Sequence, residues 1–154
     1  MHRLTTVQQL PLSLDEAWEF FSSPNNLSRI TPPEMGFVIK TDLPEKMYEG
    51  IFITYTVKPL LGIPMTWVTE ITHIRNKEFF VDEQRLGPYK IWHHQHFFRE
   101  IPGGVEMTDI VDYRLPLGWV GLSLNSLFIR KKLNAIFAYR RKRLTELFGE
   151  HDRS

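Results

Sequence analysis

Residues 91–115 read IWHHQHFFREIPGGVEMTDIVDYRL, and this stretch restricts the fold more than any other. Side chains on a strand alternate between two faces. A two-residue turn at Pro102-Gly103 or Gly103-Gly104 pairs even-numbered residues with odd-numbered ones. Trp92, His94, His96 and Phe98 then share a face with Met107, Asp109, Val111, Tyr113 and Leu115. That face is mostly large and apolar, so it belongs inside. It also carries two histidines and an aspartate, which are costly to bury unless paired or set against a polar space. An interior face of this mixture describes the wall of a pocket better than a solid core.

The rest of the chain supplies elements around this hairpin. Residues 2–10 alternate and end at Pro11, as a strand does. Ser13 with Glu16 forms a capping box for a short helix through Trp18 and Phe21, and Asn25 or Asn26 is placed to cap a second one through Ile30. Further strands are expected near 36–42, 51–58, 65–75, 78–86, 91–100 and 105–115, with Pro59 to Pro64 as one of the breaks. Short gaps favour antiparallel neighbours. Gly118 to Gly121 reads as a turn. Beyond it Leu133, Ile136, Phe137, Leu144, Leu147 and Phe148 mark one face of a helix over about 122–149. The order implies one α+β domain, residues 1–154, in which a curved antiparallel sheet wraps a long C-terminal helix.

Composition narrows the function. There is no cysteine, which excludes disulfides, thiol catalysis and cysteine-ligated metals. A net charge of +1 does not suggest a nucleic-acid binder. No apolar run is long enough to cross a membrane or to resemble a signal peptide, so a cytoplasmic protein is expected. Glycine-rich phosphate loops, dinucleotide fingerprints, G-x-S-x-G and H-E-x-x-H are all missing from the sequence.

Several segments, taken in order, resemble one group of proteins. They are Leu14-Asp15-Glu16-Ala17-Trp18-Glu19-Phe20-Phe21, Pro24-Asn25-Asn26-Leu27 with Ile30-Thr31-Pro32-Pro33, Phe80-Val81-Asp82-Glu83-Gln84, Gly87-Pro88-Tyr89, Trp92-His93-His94-Gln95-His96, Thr108-Asp109-Ile110-Val111-Asp112-Tyr113 and Leu115-Pro116-Leu117-Gly118. The chain resembles the SRPBCC superfamily (START, Bet v 1 and polyketide-cyclase/dehydrase proteins), in a bacterial branch of small ligand-binding proteins that includes cell-division-inhibitor-like members. The resemblance implies a helix-grip fold and a hydrophobic cavity between the sheet and the last helix. It implies no particular ligand.

The candidate site follows from the hairpin. His94, His96 and Asp109 form either a passive hydrogen-bonded network that meets a ligand or a general acid–base pair. They are the catalytic candidates if the protein is an enzyme. A metal site is the third option, since His-x-His on a strand can chelate zinc with Asp109 as a third ligand, but that spacing is a weak signal and no metal is expected. No cofactor is expected either. Regular pairing across Gly87-Pro88-Tyr89-Lys90 would bring Glu83 and Arg85 to the His94 face, whereas a single bulge would bring Asp82 and Gln84. The resemblance favours the bulge, so Gln84 joins Trp67, Trp92 and Tyr113 as candidate ligand-binding residues. The Arg and Lys residues of the last helix, Arg130 through Arg143, are expected to lie in water. The leading function is binding of a hydrophobic or amphipathic small molecule in a cavity on the order of several hundred cubic ångströms. The alternative is a cyclase/dehydrase-like enzyme, and a third possibility is an interaction protein with a filled core.

Overall fold

A computed structural model describes residues 1–117 and 126–152. The expected turn at Gly118 to Gly121 and the helix start at 122 lie outside the described residues. Strand β1 (His2–Leu10) leads into helix α1 (Leu14–Phe21) and two short 3-10 helices, Pro24–Ile30 and Pro33–Met35. Strands β2 (Val38–Ile39), β3 (Phe52–Leu60), β4 (Ile63–Arg75), β5 (Phe79–Leu86), β6 (Ile91–Ile101) and β7 (Gly104–Arg114) follow, and helix α2 (Ser126–Phe148) closes the chain. The seven strands make one antiparallel sheet in the order β1-β7-β6-β5-β4-β3-β2, and α2 lies in its grip. This is the expected α+β helix-grip arrangement.

Local chemistry explains most boundaries. The capping box is formed: Ser13 Oγ accepts from the Glu16 N–H at 3.1 Å, and Glu16 Oε2 accepts from the Ser13 N–H at 2.9 Å. Neither Asn25 nor Asn26 caps the next helix. Ser23 holds the cap position, and Asn26 Nδ2 instead donates to the Phe20 carbonyl at 3.0 Å. The expected break at Pro59 to Pro64 shrinks to Leu61 and Gly62, whose φ angles of 51° and 68° make a tight hairpin turn. Pro59 is tolerated inside β3 because the β3–β4 register shifts between Val57 and Leu60, where its missing N–H interrupts no regular ladder. Strand β2 is far shorter than 36–42 suggests, since Gly36 turns left-handed at φ 54° just before it.

The β6–β7 turn falls on Pro102 and Gly103, with Ile101 opposite Gly104 and His96 opposite Asp109. His94, His96, Phe98, Met107, Asp109, Val111 and Tyr113 are therefore all buried on one face. Across the other edge of β6, Asp82 stands opposite His94 and Glu83 opposite His93. Asp82 reaches the His94 face without the expected bulge, because the β5–β6 ladder is regular and Lys90 already belongs to the β6 side, donating its N–H to the Arg114 carbonyl at 2.9 Å. That leaves a three-residue loop, Gly87 to Tyr89, and an odd loop reverses the parity of a four-residue one.

Helix α2 buries Ile129, Leu133, Phe137 and Leu144 against the sheet, with Ile136, Leu147 and Phe148 partly buried. Its basic face is not wholly in water. The Arg140 side chain is 11% exposed, because it occupies the buried stripe between Phe137 and Leu144. Leu144 is 1% exposed, so Leu144→Ala should cost about 2–5 kcal/mol in chemical denaturation. A methyl group at Gly104 would lie 2.1 Å from the Leu10 carbonyl oxygen, a backbone atom that cannot step aside. Gly104→Ala should therefore cost about 3 kcal/mol by separating β1 from β7, read by the same denaturation.

Candidate functional site

Three adjacent strands bring four ionisable side chains together: Asp82 from β5, His94 and His96 from β6, and Asp109 from β7. His94, His96 and Asp109 are 6%, 5% and 7% exposed. Each imidazole lies between two carboxylates. Asp82 Oδ2 is 2.7 Å from His96 Nε2 and 3.4 Å from His94 Nδ1. Asp109 Oδ1 is 2.8 Å from His96 Nδ1 and 3.1 Å from His94 Nε2. The imidazole centroids are 3.7 Å apart, Phe80 stacks on His96 at 4.1 Å, and Phe137 meets His94 edge-on at 5.7 Å. From α2, Arg140 places Nη2 3.8 Å from Asp109 Oδ1, with its guanidinium over the rings of Phe21 and Phe137.

Burial penalises every charge here, and the neighbours decide the outcome. Burial pushes Asp109 upward, but the Arg140 charge and the hydrogen bonds from His94 and His96 outweigh it and hold the carboxyl well below its ordinary value. Asp82 is also lowered: against burial stand the charge of His94 and the hydrogen bond from His96. The two imidazoles diverge. Burial and the neighbouring His96 lower His94, while His96 rises because its hydrogen bonds to Asp109 and Asp82 overcome its burial. The two carboxylates thus face two imidazoles and the Arg140 guanidinium in one buried group.

Beside this group lies a cavity of about 200 Å³ between the sheet and α2. Trp67, Trp92, His94 and His96 are among its lining residues, with Tyr55, Asp82, Phe137 and Arg140. The volume falls below the expected several hundred cubic ångströms because aromatic rings occupy much of the space: Trp67 packs on Tyr55, Tyr89 and Trp92 at centroid distances of 5.8, 5.7 and 5.3 Å. Asp109 and Tyr113 are buried but stand outside the cavity wall. Gln84 also lies off the wall; its side chain donates to the Tyr89 carbonyl at 2.6 Å and accepts from the Tyr89 N–H at 3.1 Å, clamping the β5–β6 loop. Glu83 and Arg85 pair with each other, and with His93 and Glu70, away from the His94 group.

Asp82 and Arg140 are the members that sequence reading undervalued. The parity of the β5–β6 loop held the signal for Asp82. Arg140 was visible as the residue between Phe137 and Leu144 at helical spacing, hidden by the basic run around it.

No family model matches this chain, and no curated protein matches it either. Solved structures do. Protein CV1439 from Chromobacterium violaceum superposes with a TM-score of 0.72 at 13% identity, covering 97% of this chain and 99% of that one. Ara h 8.0201, a Bet v 1 homologue, superposes with a TM-score of 0.59 at 12% identity, covering 94% and 98%. The fold fits the SRPBCC group. A nucleoside-diphosphate sugar epimerase from Corynebacterium glutamicum matches at 25% identity and a TM-score of 0.65, over 93% of this chain but only 28% of that longer one. Among the described residues, no helix is long and apolar enough to cross a membrane.

Asp82 and Asp109 have folded-state pKa values below their ordinary ones. Their contribution to stability is therefore complete above the unfolded value of about 3.9 and is lost as pH falls through the lower folded values. Denaturant midpoints measured from pH 6 down to pH 2 should fall steeply below about pH 4, and less steeply in Asp109→Asn. At pH 7 that variant should lose about 3 kcal/mol, against less than about 1 kcal/mol for Glu83→Gln in the more exposed pairs.

Proposed function

We propose that residues 1–154 form a single domain that binds a hydrophobic or amphipathic small molecule between the sheet and α2, in the manner of a bacterial ligand-binding SRPBCC protein. The observation that carries this reading is the contrast within one cavity. Its walls are aromatic and aliphatic, and one side of it carries a carboxylate, two imidazoles and a guanidinium, with the Asp109 carboxylate behind them. Apolar walls with a few convergent polar groups are the usual form of a small-molecule site. Trp67 and Trp92 are assigned the apolar part of the ligand, and His94 and His96 its polar end. Asp109 acts through the two imidazoles, and Gln84 and Tyr113 act by holding the wall. Trp67 Nε1 is buried with no hydrogen-bond partner among the described residues, which suits a ligand that carries an acceptor. The modest volume favours a compact ring compound over a long lipid chain.

A second reading has one observation in its favour. His94 lines the cavity, is biased toward its neutral form and touches two carboxylates, which is how a general base is built. A cyclase- or dehydrase-like proton transfer would use His94, His96 and Asp109.

The binding reading is tested with the amphipathic dye anilinonaphthalene sulfonate on native protein. Saturable binding near one dye per chain is expected. Ile136→Trp, which fills the cavity from its half-buried edge on α2, should weaken it at least tenfold while near-ultraviolet circular dichroism stays native. No saturable binding to native protein, or equal binding in Ile136→Trp, would sink the proposal.

A further inference from the structure

We infer that Asp82, His94 and His96 form a binding site for a divalent first-row transition-metal cation, with Asp109 as the carboxylate that orients His94 and flanks His96. The expectation of no metal counted His94, His96 and Asp109 as the donor set. The structure divides these residues differently. The two imidazoles turn opposite nitrogens, Nδ1 of His94 and Nε2 of His96, toward one oxygen of Asp82, at 3.4 and 2.7 Å. The three donor atoms lie within 4.8 Å of one another, so a small inward movement closes them on one ion. The remaining nitrogens, His94 Nε2 and His96 Nδ1, both face Asp109 Oδ1 at 3.1 and 2.8 Å.

That second carboxylate is what separates this group from a chance cluster. A histidine that ligates a metal ordinarily gives its other N–H to a carboxylate or carbonyl, which fixes tautomer and ring orientation. Here Asp109 does this for His94, hydrogen-bonded to its Nε2 at 3.1 Å and so leaving Nδ1 with its lone pair, while the same oxygen lies beside His96 Nδ1 as an ion-pair contact at 2.8 Å. The choice of side rests on the cavity, because the Arg140 charge lies 3.8 Å from Asp109 and also reaches Asp82. Asp82, His94 and His96 line the cavity, whereas Asp109 does not. A metal on the Asp82 side would have three protein ligands and an open flank toward the cavity, the pattern of a site that exchanges water or a ligand rather than a closed structural one. Two imidazoles and a carboxylate suit zinc, iron(II), cobalt(II) or nickel(II), and do not suit calcium or magnesium. Loading replaces the proton shared by His96 Nε2 and Asp82 Oδ2, which leaves to water.

The donors sit on neighbouring strands, so their spacing is set by the sheet. Phe80 against His96 and Phe137 against His94 hold the rings further. The residues belong to the cavity already described, but the inference does not depend on an organic ligand, because its test uses metal alone.

Full-length, tag-free protein stripped with chelator would be titrated with Zn²⁺ by calorimetry and with Co²⁺ by visible absorption. One equivalent per chain is expected, with a cobalt ligand-field band. Asp82→Asn and His96→Ala should each weaken binding at least a hundredfold. Asp109→Asn should keep the stoichiometry and lose about 10- to 100-fold in affinity. His93→Ala, on the other face of β6, should change nothing. X-ray absorption of the zinc-loaded native chain should count two imidazoles, which keeps the test valid even if a variant misfolds. No saturable binding of either metal, fewer than two imidazoles, or binding that survives in folded His96→Ala through surface histidines would overturn the inference.

Discussion

Parity along three strands governs this protein. Because strand side chains alternate with a period of two, each loop length decides which members of the next strand face inward. The two-residue turn at Pro102-Gly103 sends Asp109 to the same face as His94 and His96. The three-residue loop from Gly87 to Tyr89 sends Asp82 there as well. Neither aspartate is near the histidines in sequence, and a change of one residue in either loop would replace it with its outward neighbour, Glu83 or a flanking residue of β7. The buried charges are thus assembled by turns that themselves lie at the margin of the structure.

Assembly in turn makes demands on the helix. Two carboxylates buried together are tolerated only if cations meet them. Arg140 supplies such a charge beside Asp109, and it comes from α2 rather than from the sheet. The helix that buries Ile129, Leu133, Phe137 and Leu144 therefore also completes the charge balance of the interior. Docking of α2 is apolar in its driving force and ionic in its specificity. A helix rotated by one residue would still present apolar side chains, but it would carry the guanidinium away from Asp109.

Much of this was readable from the amino-acid order, for physical reasons that can be named. Alternation over 91–101 and 104–114 placed His94, His96 and Asp109 on one inward face, since a two-residue turn admits a single parity. The capping box at Ser13 and Glu16 was readable because it is purely local. The less legible features depend on tertiary context. The β5–β6 loop admitted two parities, and only the Lys90 to Arg114 hydrogen bond chose between them. Pro59 looked like a terminator, but a register shift in the β3–β4 ladder absorbs it. Asn26 resembled a helix cap and serves the Phe20 carbonyl instead. Tyr113 shares the inward face and Gln84 follows from the resemblance, but neither says whether a side chain reaches the open space or stops behind another group. Arg140 was hidden because a basic run reads as solvated unless each position is tested against the apolar stripe.

The clamp between Gln84 and Tyr89 has a consequence for how such a chain can change over generations. Hairpin loops at a sheet margin commonly accept insertions and deletions, since little packs against them. Here the Gln84 amide grips both backbone groups of Tyr89, and the Tyr89 ring packs on Trp67, Trp92 and Tyr113. The loop is therefore a ruler. Relatives that keep the interior charges should keep its length, and a lineage that gained a single residue there would have to rebuild the polar side of the cavity from different amino acids.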